Sequence, residues 1–530
     1  MKSLSLAVAA GALFASSVSA AVDPIVIKGN KFFYKTNGTQ FYMRGVAYQQ
    51  GISSNTSQTE TLDFVDPLAD SKSCTRDIEF LSKLRTNTIR VYALDPTKNH
   101  DACMNALADA GIYVVADLSQ PGESINREDA GWTTALLERY TSVVDMMQKY
   151  DNTLGFFAGN EVSNQPNNTY ASAFVKAAVR DTKAYIKAKS YRTIGVGYAT
   201  NDDADIRENL ASYFDCGNRE DAIDFWGYNI YSWCGDSSFQ KSGYDVRTKE
   251  FESFDVPVFF AEYGCNQVQP RQFTEVQALY GSQMNDIWSG GIVYMYFQEA
   301  NDFGLVSVDS SGTVKTNDDF KALSSQIAKV NPTGVKMADF NPTNTVAASC
   351  PTVNSDWGAV ATPLPPAANT DLCSCMTDGL SCVVSSDVDE KDYSDIFDFV
   401  CGEKKGAYCV GIAKNATTGS FGAYGMCTPQ QQLGYVLDQY SKNVTGGCDF
   451  KGQAKSNSPK SASNSCKSLL EQAGPQGTGT VTSAPGAAQT GKSSQGAAPG
   501  MIVPSFSTGL FSIGVYVFGA GLSGAAMILL

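Results

Sequence analysis

The chain has 530 residues, 43% of them hydrophobic, with a net charge of −14 and a single histidine. That length exceeds one ordinary domain, and the acidic balance argues against nucleic acid or an anionic membrane surface, fitting a neutral or cationic partner. One histidine removes Ser-His-Asp and Cys-His chemistry and most zinc sites, so carboxylates must carry any reaction, with no metal and no cofactor expected.

Residues 1–20 carry Lys2, an apolar run and Val18-Ser19-Ala20, the pattern of a cleaved secretory signal. Ile25-Val26-Ile27 and Lys31-Phe32-Phe33-Tyr34 read as a short hairpin closing a barrel floor. Strand patterns follow at Phe41–Gln49, Asn87–Leu94, Ile112–Leu118, Leu154–Glu161, Thr193–Ala199, Ile223–Tyr231, Val256–Glu262 and Ile292–Gln298. Helical stretches lie between them, among them Thr75–Leu84, Trp132–Lys149, Tyr170–Lys187 and Thr274–Trp288. Eight strand–helix units predict a (β/α)8 barrel over residues 21–350, in the α/β class. A doubly wound sheet would need a Gly-rich phosphate loop after the first strand, and none is there. His100, between Lys98-Asn99 and Asp101, is expected on the surface where a loop enters a helix.

Two of these strands share one grammar. Leu154-Gly155-Phe156-Phe157-Ala158-Gly159-Asn160-Glu161 and Val256-Pro257-Val258-Phe259-Phe260-Ala261-Glu262 are apolar runs that each deliver a glutamate at the C-terminal end. Barrel strands point those ends into one bowl, and two carboxyls there are what cleavage of a glycosidic bond requires. Other polar residues fall at strand ends: Tyr48, Gln49, Arg90, Tyr92, Asp117, Asn160, Asn229, Tyr231, Tyr294 and Tyr296. Amide, carboxyl and phenol groups suit sugar hydroxyls and ring faces. Trp233, Tyr263 and Phe297 are possible stacking platforms, and Trp226 reads as core.

Residues 351–372 form a proline-stiffened linker, and 373–466 a small α+β module with eight of the fourteen cysteines. With no paired carboxylates at strand ends, the module reads as binding or structural. A stalk (467–498) follows, then a tail (499–530). Small residues at Gly496-Ala497-Ala498, a spacer and a terminal apolar run match a GPI-attachment signal. Fourteen cysteines and sequons at Asn37, Asn55, Asn167, Asn415 and Asn443 agree with a secreted chain.

Gly159-Asn160-Glu161, Ala261-Glu262-Tyr263-Gly264, Tyr42-Met43-Arg44-Gly45-Val46-Ala47-Tyr48-Gln49, Tyr228-Asn229-Ile230-Tyr231-Ser232-Trp233-Cys234 and the Cys373-Ser374-Cys375 opening together resemble one family. It is the fungal Gas/Gel/Phr family of GPI-anchored β-1,3-glucanosyltransferases, glycoside hydrolase family seventy-two, in the subgroup with a C-terminal cysteine-rich carbohydrate-binding module. The resemblance implies Glu161 as acid/base, Glu262 as nucleophile, and Tyr92, Asn160, Tyr231 and Tyr294 lining the donor site. It implies the pairs Cys74–Cys103, Cys216–Cys350, Cys234–Cys265, Cys373–Cys427, Cys375–Cys466, Cys382–Cys448 and Cys401–Cys409. It also implies β-1,3-glucan chains as donor and acceptor and a place on the outer face of the plasma membrane; a monomer is expected. The stalk lacks the long serine-rich stretch of some members, which favours the membrane over the wall. A retaining β-glucan hydrolase and a non-catalytic glucan-binding wall protein are the alternatives.

Overall fold

The computed structural model describes residues 22–51 and 64–482. The secretory leader, Asn55, the GPI site at Gly496–Ala498 and the apolar tail lie outside the described residues.

Strands β1 (Ile25–Lys28) and β2 (Lys31–Tyr34) pair antiparallel as the expected hairpin. Eight parallel strands then close a barrel: β3 (Met43–Ala47), β4 (Thr88–Val91), β5 (Tyr113–Asp117), β6 (Thr153–Asn160), β7 (Gly195–Thr200), β8 (Trp226–Asn229), β9 (Val258–Tyr263) and β10 (Trp288–Val293), which returns to β3. Around it lie α1 (Ser71–Lys83), α2 (Asp101–Asp109), α3 (Thr134–Met147), α4 (Ser172–Ala188), α5 (Arg207–Asp215), α6 (Tyr244–Glu250) and α7 (Glu275–Leu279). A small hairpin, β11 (Val306–Val308) with β12 (Val314–Thr316), precedes α8 (Asp318–Ile327). The barrel strands are covered on both faces, which is why they read as continuous apolar runs rather than alternating ones. Met43, Tyr113, Val115, Leu154, Phe157, Phe225, Phe259 and Ile292 fill the barrel interior. Phe32 of the hairpin wedges beneath them, its ring 6.1 Å from those of Phe225 and Phe259, and so closes the floor.

Two elements depart from expectation. The eighth barrel strand begins at Trp288 instead of Ile292, because Gly290 and Gly291, which look like breakers, lie inside it. A side chain at Gly290 would come within 2.2 Å of the Met43 carbonyl oxygen, so at this point the strand can lie beside β3 only because the position has no side chain. The helix expected over Thr274–Trp288 shrinks to the five residues of α7, followed by turns from Tyr280 onward.

The small module contains α9 (Thr370–Asp378), α10 (Tyr393–Gly402), α11 (Pro429–Ser441) and α12 (Asn464–Ala473). It also holds two short ladders, β13 (Cys382–Val384) with β16 (Ala454–Ser456) and β14 (Lys414–Asn415) with β15 (Ser420–Phe421). All seven disulfides close in the implied pairing. Crosslinks contribute roughly 2–4 kcal/mol each, which matters most in a unit with so little core. The module continues past Cys466: α12 runs on, Ala423 N–H donates to the Gly477 carbonyl (2.7 Å), and the Tyr435 hydroxyl donates to that of Gln476 (2.9 Å).

The segment read as a linker is a packed strap. Trp357 is fully buried against the Tyr213 ring, Gly358 N–H donates to Thr169 Oγ1, and Arg180 donates to the Pro365 carbonyl. Phe421 of the module meets Phe174 of α4 edge-on at 6.0 Å. The module is thereby fastened to the α3–α4 side of the barrel.

Candidate active site

Glu161 follows directly on β6, and Glu262 lies in β9, the fourth and seventh barrel strands. Both are at the C-terminal ends, and a shared set of side chains joins them. The Arg90 guanidinium, fully buried on β4, donates to Glu262 Oε1 (3.2 Å) and to Asn160 Oδ1 (3.0 Å). Asn229, the last residue of β8, donates to Asn160 Oδ1 (3.0 Å) and to Glu161 Oε1 (2.8 Å). Tyr92 and Tyr231 donate their hydroxyls to the two oxygens of Glu262, at 2.9 and 2.7 Å. Burial first, and for Tyr231 next the Glu262 charge, pushes these phenols well above the ordinary tyrosine range, so they remain donors.

The two carboxyls have different surroundings. Glu262 receives three charge-stabilising donors, from Arg90, Tyr92 and Tyr231. Glu161 receives Asn229, and burial, followed by the charge of Glu262, pushes its carboxyl up to about 7. Neighbouring carboxyls in such unequal surroundings are the arrangement from which acid and nucleophile roles are assigned. Glu161 also has φ +49°, in the left-handed region that a glutamate avoids. Such strain, held in place by its surroundings, marks functional positions.

The expected sugar-binding residues divide. Tyr92, Asn160, Tyr231 and Tyr294 are half-buried around the glutamates. Phe303, in the loop after β10, joins them, its ring 5.6 Å from Tyr231 and 5.3 Å from Tyr294, and Tyr294 meets Tyr92 at 6.3 Å. Asp117 is in the bowl but buried, with both oxygens taken by Arg90 at 3.1 and 3.0 Å, so it fixes the guanidinium rather than facing sugar.

Tyr48 points the other way, into the layer between barrel and helices, its hydroxyl on Asp77 of α1 at 2.8 Å. Tyr296 shares that partner at 3.0 Å. Gln49 is buried as a loop clamp: its Oε1 accepts from the N–H groups of Tyr92 and Ala93, and its Nε2 donates to the Val65 carbonyl. Trp233, against Tyr244 with its indole N–H on Thr274, is core, as are Tyr263 and Phe297. Trp226 is core as expected. His100 is not on the surface; its Nε2 lies 2.8 Å from Asp66 Oδ2 and both side chains are buried. Asp66 also caps the backbone at Leu68 and accepts from Asp95 N–H, so the histidine completes a buried loop anchor. Asn37, Asn167, Asn415 and Asn443 are all exposed.

Arg90 and Asn229 entered the sequence reading only as polar strand-end residues, although their geometry makes them the links between the two glutamates. Nothing in the sequence pointed to Phe303, because it lies in a loop with no motif. Among the described residues there is no cluster of metal-ligating side chains.

A closed parallel barrel carrying two linked glutamates at its C-terminal rim defines an enzyme acting on glycosidic bonds. The chain belongs to the glucanosyltransferase family, whose model matches residues 14–331, and an X8 domain matches 380–455. It is 54% identical to a 1,3-beta-glucanosyltransferase of Arthroderma benhamiae, with all of both chains covered. It is 48% identical to 1,3-beta-glucanosyltransferase gas1 of Schizosaccharomyces pombe, covering 90% of this chain and 86% of that one. A mutant of Saccharomyces cerevisiae Gas2p solved with laminaritetraose and laminaripentaose superposes with a TM-score of 0.75 at 42% identity, covering 85% of this chain and 99% of that one.

Proposed function

We propose that this chain cuts β-1,3-glucan internally and passes the new reducing end to the non-reducing end of another chain, elongating the polymer. The observation that carries the mechanism is the unequal pair: Glu161 with its carboxyl pushed up to about 7, Glu262 under three donors. In the first step a Glu262 oxygen attacks the anomeric carbon. The bond to the leaving sugar oxygen breaks, and that oxygen takes the Glu161 proton. In the second, the acceptor hydroxyl gives its proton to Glu161 while its oxygen displaces Glu262 from the anomeric carbon. The anomeric configuration is inverted twice and so retained.

Transfer and hydrolysis share the glycosyl-enzyme and differ in what reaches it. Water is present at roughly 55 M, so an acceptor sugar must be held at high effective concentration. The half-buried ring set of Tyr92, Tyr231, Tyr294 and Phe303 offers apolar faces to sugar rings beside the two glutamates and supports sugar binding there. A single reduced laminari-oligosaccharide should give products longer than itself, all with β linkages by proton NMR. Only shorter products at high substrate would make the chain a hydrolase, no products would make it a binding protein, and α linkages would refute the double displacement.

The module supplies a second hold on polymer. It exposes Phe399 (53% accessible) over Tyr440 and Phe450, an aromatic face of the kind that stacks on sugars. The chain works outside the cell, tethered to the plasma membrane by a GPI lipid added near Gly496–Ala498. The signal pattern of residues 1–20 and the apolar end of the sequence support this.

A further inference from the structure

The residue after Asn160 leaves the strand with its backbone turned. Glu161 N–H still donates to the Ala199 carbonyl (2.9 Å), but φ +49° swings its own carbonyl out of the ladder. That carbonyl accepts from Arg127 Nη2 at 2.6 Å. The next two N–H groups, of Val162 and Ser163, both meet the Tyr198 hydroxyl, at 2.9 and 3.4 Å. Two side chains, Tyr198 from β7 and Arg127 from the loop between β5 and α3, therefore hold the turn that aims the Glu161 carboxyl.

The loop carrying Arg127 is not fixed by the barrel alone. On the barrel side the Tyr170 hydroxyl donates to the carbonyls of Arg127 and Glu128, at 2.8 and 3.1 Å. On the module side Lys414 lies 3.6 Å from Asp129, and Thr134 N–H donates to the Met426 carbonyl at 2.8 Å. Asp181 of α4 joins the two by accepting from the Trp132 indole (2.8 Å) and from Ala368 N–H of the strap (3.1 Å). The stretch 127–134 thus touches the acid/base turn through Arg127 and the module through Asp129 and Thr134.

We propose that Arg127 is a positioning residue for Glu161 and that the small module, by gripping the loop at Asp129 and Thr134, sets where Arg127 sits. It rests on Glu161 as the acid/base. The module then acts on the chemistry as well as on polymer binding. The groups facing Glu161 are Glu262, Asn229, Arg90, Arg127 and Tyr198. Arg90 is locked by Asp117 and Glu262, which leaves Arg127 as the cation that a distant contact can move. Its charge favours the ionised form of Glu161, against burial.

The test is the pH profile of transfer by the full chain carrying Arg127→Ala, Arg127→Lys, Lys414→Glu or Lys414→Glu with Arg127→Ala. Glu161→Gln and thermal unfolding of each variant are measured alongside. Removing the charge of Arg127 should move the basic limb to higher pH and lower kcat about tenfold to a hundredfold by misplacing the acid. Arg127→Lys, which keeps the charge, should leave the limb near its original place. Lys414→Glu, which repels Asp129, should move the limb when Arg127 is present and not when it is alanine. A limb that stays put in Arg127→Ala overturns the role of Arg127, whether or not stability falls. Equal effects of Lys414→Glu in both backgrounds overturn the link to the module. Activity surviving in Glu161→Gln would instead overturn the acid/base assignment itself, and the inference with it.

Discussion

Replacing Glu161 by Gln isolates the proton from everything else the residue does. Glutamine has the same shape, and its carbonyl oxygen can accept from Asn229 as Glu161 Oε1 does at 2.8 Å, so the bowl should stay assembled. What is lost is a carboxyl poised near 7. A positioned general acid contributes about 10²–10⁴ in rate, or roughly 3–5 kcal/mol of barrier, and kcat/KM should fall by that factor. The wild-type profile should fall on its basic side with a midpoint near 7, because only the protonated carboxyl can begin the reaction. The variant should lack that limb. Stability should move the opposite way. A carboxyl raised in the folded chain stabilises it fully below its ordinary value of 4.5 and loses that contribution as pH rises through about 7. Glutamine never ionises, so the variant should melt higher than wild type at about pH 8 and no differently at about pH 4. The assay is kcat/KM on a reduced laminari-oligosaccharide across pH, with thermal unfolding at both ends. Activity within tenfold of wild type, or a basic limb kept near 7, would refute the assignment.

Phe399→Ser should weaken binding to insoluble β-1,3-glucan several-fold while leaving turnover of short laminari-oligosaccharides unchanged. Equal loss on both substrates would place the aromatic face in folding rather than in polymer binding. Phosphatidylinositol-specific phospholipase should release the protein from membranes, and mass spectrometry finding Leu510–Leu530 in the mature protein would contradict a lipid anchor.

The barrel and its glutamate pair were legible because both strands are apolar throughout, so a carboxylate at each C-terminal end stands out from the pattern. Direction around a strand was harder. Tyr48 and Tyr92 look alike at the ends of neighbouring strands, yet Tyr48 turns outward to Asp77 and Tyr92 inward to Glu262. A strand covered on both faces has no polar side to set that phase. Asp117 was read as facing sugar for the same reason, although Arg90 takes both its oxygens. The polar neighbours of His100 suggested solvent, and only the distant Asp66 makes its burial affordable in energy. The eighth strand was expected to begin only at Ile292, because the reason Gly290 can lie inside it, the Met43 backbone pressed against β10, is almost 250 residues earlier in the chain. Phe303 and Arg127 sit in loops, where no period exists to give them away.

The left-handed turn at Glu161 bears on how chains of this kind decay. A glutamate at φ +49° is less at ease than glycine or asparagine would be, by roughly 1–2 kcal/mol. A duplicated copy released from selection for turnover would gain stability simply by losing this glutamate, whereas Glu262, within β9 and hydrogen-bonded to three neighbours, would lose stability on replacement. Retired relatives should therefore lose the glutamate at the position of Glu161 first, with small or amide residues there and the glutamate at the position of Glu262 still in place.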